Sequence, residues 1–234
     1  MRLDLLAALN AERAARRPFV LVTEMEGGAQ RLVTQASLSA DPLAGLLRAA
    51  LGERRSRMVG EGAERAFLAV DVPAPRMLVI GAVHISQALA PMARIAGFDV
   101  TILDPRTAFA TPERFPDVPV IGEWPDLALP AYGIDPFTAL VALTHDPKID
   151  EPAIAAALQV GCFYVGALGS RRTHAKRVER LAAGGISPAA IARIHAPIGL
   201  DLGAASPAEI AVAVLAEVIR ALRLGAAEAE GAVA

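Results

Sequence analysis

The sequence predicts an α/β protein: a Rossmann-like, doubly wound parallel sheet with a small N-terminal α+β unit in front of it. Three observations predict it. Beyond residue 75, short and nearly continuous apolar runs (77–80, 98–103, 138–143, 162–165) alternate with helical stretches, the pattern of strands buried on both faces. The first run is followed by Gly81-Ala82-Val83-His84-Ile85-Ser86, placed where a dinucleotide fingerprint would open a helix. The chain has 234 residues, of which 54% are hydrophobic and only 4% aromatic, so it can bury a sizeable core and that core is aliphatic.

Each element has a local reason. In the N-terminal unit, 1–72, a helix is expected at about 2–15, a strand at 18–24, the turn Glu26-Gly27-Gly28, and a second strand at 31–35. Asp41-Pro42 reads as N-cap and first helical residue of a helix running to about Leu51. Residues 64–70 alternate as a strand. Asp71-Val72-Pro73-Ala74-Pro75 is the linker, because its prolines remove ladder donors and hold the chain extended. The Rossmann-like domain, 76–224, opens with strand 77–80. Helix 85–96 follows with Pro91 inside it, then strand 98–103, one helical turn at 111–115, and a short strand at 119–121. Strand 138–143 leads to a helix at about 151–159, and strand 162–165 to a helix at 171–183 that Gly184-Gly185 ends. Ser187-Pro188 starts a short helix. Ser206-Pro207-Ala208-Glu209 is a capping box for a long helix to about 224. Residues 225–234 read as a flexible tail.

Composition excludes several functions. The formal net charge is −2, and with so few aromatics neither a basic field nor a stacking platform for nucleic acid is expected. The N-terminus mixes acid and base within its apolar run and has no cleavage-site pattern. No apolar run reaches the ~18–20 residues that span a bilayer, because 211–219 contains Glu217. The single cysteine, Cys162, forms no intramolecular disulfide and fits a reducing cytoplasm; it reads as a small buried hydrophobe. One Cys and four scattered His match no zinc pattern, and neither a G-x-S-x-G elbow nor a Walker A loop occurs. No catalytic residue and no metal ligand is therefore assigned.

Candidate binding residues gather where strands end, since doubly wound sheets bind ligands beyond their carboxyl edge. Gly81, Ala82 and His84 follow the first strand. Asp104 and Arg106 follow the second, with Asp104 lying 23 positions after Gly81, near the ~20 expected of a ribose-binding acid. A nicotinamide-dependent oxidoreductase is the alternative this raises, with Asp104 on the ribose and a crevice histidine as acid–base group. Val83 stands in the place of the second fingerprint glycine and counts against NAD(P). Thr144, His145 and Asp146 end the third strand and read as a ligand-facing histidine oriented by an acid, the plainer alternative being a polar turn with Asp146 pairing locally. Gly166, Gly169, Ser170, Arg171 and Arg172 form a glycine turn that opens a helix with two arginines. Cations there oppose the helix dipole at ~0.3–1 kcal/mol each, and the combination of free N–H groups and guanidiniums is an anion site. Lys176 and Arg180 read as a solvated stripe. The apolar, glycine-spaced loop 195–203, with His195 and Gly199, is expected to return to the sheet and cover the pocket.

These motifs carry a resemblance. Gly166-Ala167-Leu168-Gly169-Ser170-Arg171-Arg172-Thr173-His174-Ala175-Lys176-Arg177 and His195-Ala196-Pro197-Ile198-Gly199-Leu200-Asp201-Leu202-Gly203-Ala204 are similar to the C-terminal hallmark of the XdhC/CoxI family. Thr144-His145-Asp146-Pro147-Lys148 and Asp104-Pro105-Arg106 resemble its other motifs. The resemblance covers about 76–224. It implies an accessory protein rather than an enzyme, one that binds molybdenum cofactor (molybdopterin), supports its sulfuration with a cysteine desulfurase, and inserts it into the apoenzyme of a xanthine dehydrogenase-type molybdenum hydroxylase. A homo-oligomer is compatible with it. Two departures stand out: Val83 replaces a usual glycine, and the N-terminal unit lacks the cysteine-bearing glycine motif of longer members.

Overall fold

The computed structural model describes residues 3–231, which fall into two compact units: the second spans Ala74–Gly225, and the first holds the residues before it together with those after Gly225. The first unit begins with α1 (Leu3–Ala14), followed by β1 (Phe19–Glu24), β2 (Gln30–Thr34), α2 (Ala44–Gly52), β3 (Arg57–Val59) and β4 (Ala66–Asp71). Its four strands form an antiparallel sheet in the order β2-β1-β4-β3. Val20, Val22, Val33, Leu47 and Leu68 make its core. The short β3 escapes sequence reading because three residues give no periodicity. Asp41 does not cap the helix that follows it. Its Oδ1 accepts the Leu43 N–H at 2.9 Å in a local turn, both oxygens take the Arg31 fork, and the helix starts later, at Ala44.

The second unit runs β5 (Arg76–Ile80), α3 (His84–Ile95), β6 (Asp99–Leu103), β7 (Val120–Ile121), α4 (Pro125–Tyr132), β8 (Thr138–Ala142), α5 (Pro147–Val160), β9 (Tyr164–Ala167), α6 (Arg171–Ala183), α7 (Pro188–Ile191), β10 (Ile194–His195) and α8 (Pro207–Gly231). All six strands are parallel, in the order β10-β9-β8-β5-β6-β7. Renumbered within the unit this is 6-5-4-1-2-3, the Rossmann arrangement, in which the order of strand addition reverses between β5 and β8. Two apolar layers flank the sheet. One contains Ile85, Leu89 and Ala93 of α3 with Ala211, Val214 and Val218 of α8. The other contains Leu129 of α4, Ile149, Ile154 and Leu158 of α5, and Leu181 of α6.

Three boundaries differ from expectation. The helix α4 begins at Pro125 after Trp124, in a stretch whose Leu, Ala and Pro content gave no clear period. Helix α5 begins at Pro147, not near 151, because the Asp146 side chain accepts the Lys148 N–H and Pro147 fills the first turn. Helix α8 continues past 224 to Gly231, where the sequence reading places the tail; residues 232–234 lie outside the described residues.

Candidate functional site

The crevice forms where β5 and β8 part at the reversal. Gly81 leaves β5 with φ +116°, and a Cβ there would stand 2.8 Å from Thr144 Cγ2. Only glycine therefore lets the two strand ends approach this closely. Gly81→Ala should destabilise the protein by about 1–3 kcal/mol through backbone strain and overlap, read as a lowered urea midpoint with an unchanged slope.

The turn after Gly81 is held by the chain itself. The Ala82 N–H donates to Asp104 Oδ2 at 2.8 Å and the Val83 N–H to Ser86 Oγ at 3.1 Å. Ser86 Oγ donates to the Gly81 carbonyl, and Arg114 Nη1 donates to the Ala82 carbonyl at 2.9 Å. The Ala82 and Val83 donors that could face a pyrophosphate in a dinucleotide fingerprint are thus already used. Asp104 is fully buried. Besides Ala82 it accepts the Arg106 N–H and Nε at 2.9 Å and Nη2 at 2.8 Å, which fills its acceptor capacity. Burial pushes the Asp104 carboxyl up, but the Arg106 fork and the two backbone N–H groups outweigh it and hold it below the usual carboxylate range. Asp104 accordingly has no lone pair left for a ribose hydroxyl. The fields of Asp146 and Asp150 also reach Arg106, which faces the far wall of the crevice.

That wall is built on Asp150, a residue the sequence reading missed. Asp150 is 1% exposed. It accepts the Thr144 hydroxyl at 2.7 Å and the His145 N–H at 3.0 Å. Burial pushes its carboxyl up in spite of these bonds. They hold His145 at φ +63°, with an exposed side chain. The acid that fixes this turn is therefore Asp150, through the His145 backbone, while Asp146 is the α5 N-cap. The local-pairing alternative applies to Asp146. His84, the first residue of α3, is exposed as well.

The next strand end supplies the arginine turn. Gly169 has φ +139°, and Ser170 caps α6 by accepting the Thr173 N–H at 3.2 Å. Arg171 and Arg172 are exposed at the head of α6, at the carboxyl edge of the sheet, and neither has a side-chain partner among the described residues. Behind them lies Arg177, only 3% exposed, whose Nη2 donates to the Leu168 carbonyl at 3.1 Å. Gly166 lies inside β9, where a Cβ would stand 2.6 Å from both the Tyr164 ring and Ile198; its smallness makes room for the chain's own side chains.

His195 and Gly199 belong to a separate cluster. Glu217 of α8 accepts the Tyr164 hydroxyl at 2.6 Å and the Gly199 N–H at 2.8 Å, and its other oxygen lies 3.1 Å from His195 Nδ1. The His195 ring stacks on Tyr164 at 4.6 Å. Burial opposes the Glu217 charge, but His195, Tyr164 and Gly199 prevail and bring its pKa down to about 2. This network fastens the 195–203 loop and β10 to α8 and β9. Cys162 is fully buried, and burial pushes its thiol up to about 12. No group of three or more metal-ligating side chains occurs among the described residues, and no helix among them is long and apolar enough to cross a membrane.

Residues 77–218, all of the six-stranded sheet but Arg76 and most of its helices, match the family described as the XdhC Rossmann domain. The chain belongs to the XdhC family. It is 35% identical over 149 residues to a probable xanthine dehydrogenase subunit of Bacillus subtilis, an overlap of 63% of this chain and 43% of that protein. It is 33% identical over 146 residues to the molybdenum cofactor insertion chaperone PaoD of Escherichia coli, 62% of this chain and 40% of PaoD. It is also 33% identical over 161 residues to the uncharacterized protein YqeB of the same organism, 68% of this chain and 29% of YqeB. This XdhC chain thus spans less than half the length of these curated relatives. A xanthine dehydrogenase structure from Bacillus halodurans superposes with a TM-score of 0.64 at 22% identity, covering 94% of this chain and 64% of that one, and so shares its fold.

Proposed function

We propose that this XdhC protein is an accessory factor that binds molybdenum cofactor and supports its sulfuration and insertion into a xanthine dehydrogenase-type molybdenum hydroxylase. Its partners in this reading are the hydroxylase apoenzyme and a cysteine desulfurase, in the cytoplasm, with the domain at 76–224 carrying the guest and a homo-oligomer compatible with the role. The observation that carries the reading is the pair Arg171 and Arg172, unpartnered among the described residues at the head of α6, on the carboxyl edge of an XdhC sheet. The names of two relatives, a molybdenum cofactor insertion chaperone and a probable xanthine dehydrogenase subunit, support it.

The donor set fits the guest. A phosphate suits guanidiniums and helix N–H groups, which Arg171, Arg172, Gly169 and Ser170 offer. A pterin edge suits hydroxyl, imidazole and carboxylate groups, which Thr144, His145, Asp146 and His84 offer around the crevice. Arg106 and Asp104 would shape the floor, with Gly81 and Ala82 closing it. Gly166, His195 and Gly199 have no direct part in holding the guest; they fasten the 195–203 loop to β9 and α8. When bound, the cofactor supplies the metal dithiolene centre of the client hydroxylase; the chain's residues bind, orient and exclude water.

The test is anaerobic purification from a cofactor-producing host, followed by pterin fluorescence after acid oxidation. Each charge-assisted hydrogen bond lost is worth about 1.5–3 kcal/mol, so R171A/R172A, which removes both donors, should retain roughly a hundredfold less pterin than the parent chain or lower. Its unfolding midpoint should hardly move, because both side chains are exposed. Equal retention by the double variant would end the assignment.

A further inference from the structure

We propose that the head of α6 is an oxyanion site anchored by the buried Arg177, which takes a phosphate group, either free or as a monoester. The inference rests on the cofactor reading only in that such a guest carries a phosphate; it names the residue that anchors it and the groove it occupies.

Arg177 is the most anomalous side chain in the sheet unit. It is only 3% exposed, yet Nε and Nη1 have no hydrogen-bond partner. No acid lies within ion-pair reach of it among the described residues. The nearest acid field is that of Asp150, and that carboxylate is already taken by Thr144 and His145. A buried guanidinium with two idle nitrogens is costly, and such groups mark missing partners. His174 Nδ1, three residues earlier on the helix, is likewise buried without a partner. The bond from Arg177 Nη2 to the Leu168 carbonyl directs the guanidinium at the turn that opens α6.

A groove of about 300 Å³ lies beside that turn, lined by Pro147, Arg172, Thr173, Lys176 and Arg180. Thr173 and Arg177 lie four apart on α6, and the Arg177 guanidinium, which does not itself line the groove, is held against the turn at Leu168 that leads into it. Glu151 neutralises Arg180, accepting its Nε at 2.9 Å. Arg172 and Lys176 have no side-chain partner among the described residues. The first-turn N–H groups of Arg171 and Arg172 have no acceptor within the helix. A fork, two mobile cations and helix N–H groups match the several oxygens of phosphate better than the two of a carboxylate. The groove is large enough for the phosphate and the start of whatever it is attached to.

Titration of the whole chain at low ionic strength, followed by calorimetry and phosphorus NMR, tests this with inorganic phosphate and phenyl phosphate as separate probes. Saturable binding is expected for at least one, and the stronger probe tells free phosphate from monoester. R177M should weaken binding by about tenfold or more, R177K by less because it keeps the charge without the fork, and R172Q/K176Q by about tenfold. R94Q, at the exposed end of α3, should bind as the parent does. The absence of saturation by either probe up to about 20 mM overturns the proposal, since water alone would then serve Arg177. So does undiminished binding by a folded R177M or R177K, which would leave only a surface cation site. If R177M fails to fold, R177K and R172Q/K176Q decide. Pterin fluorescence on the same samples separates the two readings. Phosphate binding without copurified pterin removes the cofactor reading alone, and pterin retention that survives R177K undiminished removes this one alone.

Discussion

Asp104→Ala should destabilise the sheet unit by about 3–5 kcal/mol, the range for breaking a buried charge pair from one side. The carboxylate is fully enclosed and accepts four hydrogen bonds. Its loss strands the Arg106 guanidinium, which is 36% exposed and so recovers part of the cost from solvent. It also leaves the Ala82 N–H without its acceptor in a buried turn. Urea unfolding at neutral pH measures the effect. A loss below about 1 kcal/mol, the scale of an exposed ion pair, would show that Asp104 does not hold the turn. Asp104→Asn keeps the shape and one acceptor and should fall between the two.

The second large effect is on acid stability. Glu217 has its pKa lowered to about 2 by His195, Tyr164 and Gly199. A carboxylate depressed in the folded state adds stability above its unfolded pKa, and that stability is lost as pH falls toward the folded value. From about pH 4.5 down to about pH 2 the protein should lose on the order of 3 kcal/mol through this group, at ~1.4 kcal/mol per unit. Asp150 acts oppositely. Its carboxyl is raised by burial, so its ionisation weakens the fold as pH rises, and its protonation offsets part of the acid loss. Glu217→Gln should cost stability at pH 7 and flatten the profile below about pH 4.5. A parallel profile for parent and variant would show that the Glu217 network contributes nothing to acid sensitivity.

The sheet was legible because its strands are buried on both faces. Met77–Ile80 and Leu140–Ala142, with no polar residue, can only be central. Arg171 and Arg172 were legible as an anomaly, two cations at the positive end of a helix. Arg177 was hidden by the motif it shares with them, where one more arginine in a basic run looks solvated. Its signal was its register: it precedes Val178 and lies four residues before Leu181, on the face that packs into the core. A charge at a core-facing position is more telling than a charge at a helix end. Asp150 and Glu217 carried similar signals, each lying next to a buried aliphatic residue, Ile149 and Val218. What no local pattern supplies is pairing at a distance. Glu217 lies 53 positions from Tyr164, and Arg106 meets the field of Asp150 across the reversal of strand order. The separation of His195 and Gly199 from the β5–β8 crevice has the same origin, since α8 rather than the loop decides where they go.

The sealed thiol of Cys162 has a practical corollary. With its pKa near 12, on the order of one molecule in 10⁵ carries a thiolate at neutral pH, and air, peroxide or alkylating reagents find no reactive sulfur of this residue on the folded surface. A folded sample left in air should therefore keep Cys162 as a free thiol, and its loss to an alkylating reagent would report opening of the core around β9 and not chemistry at the surface.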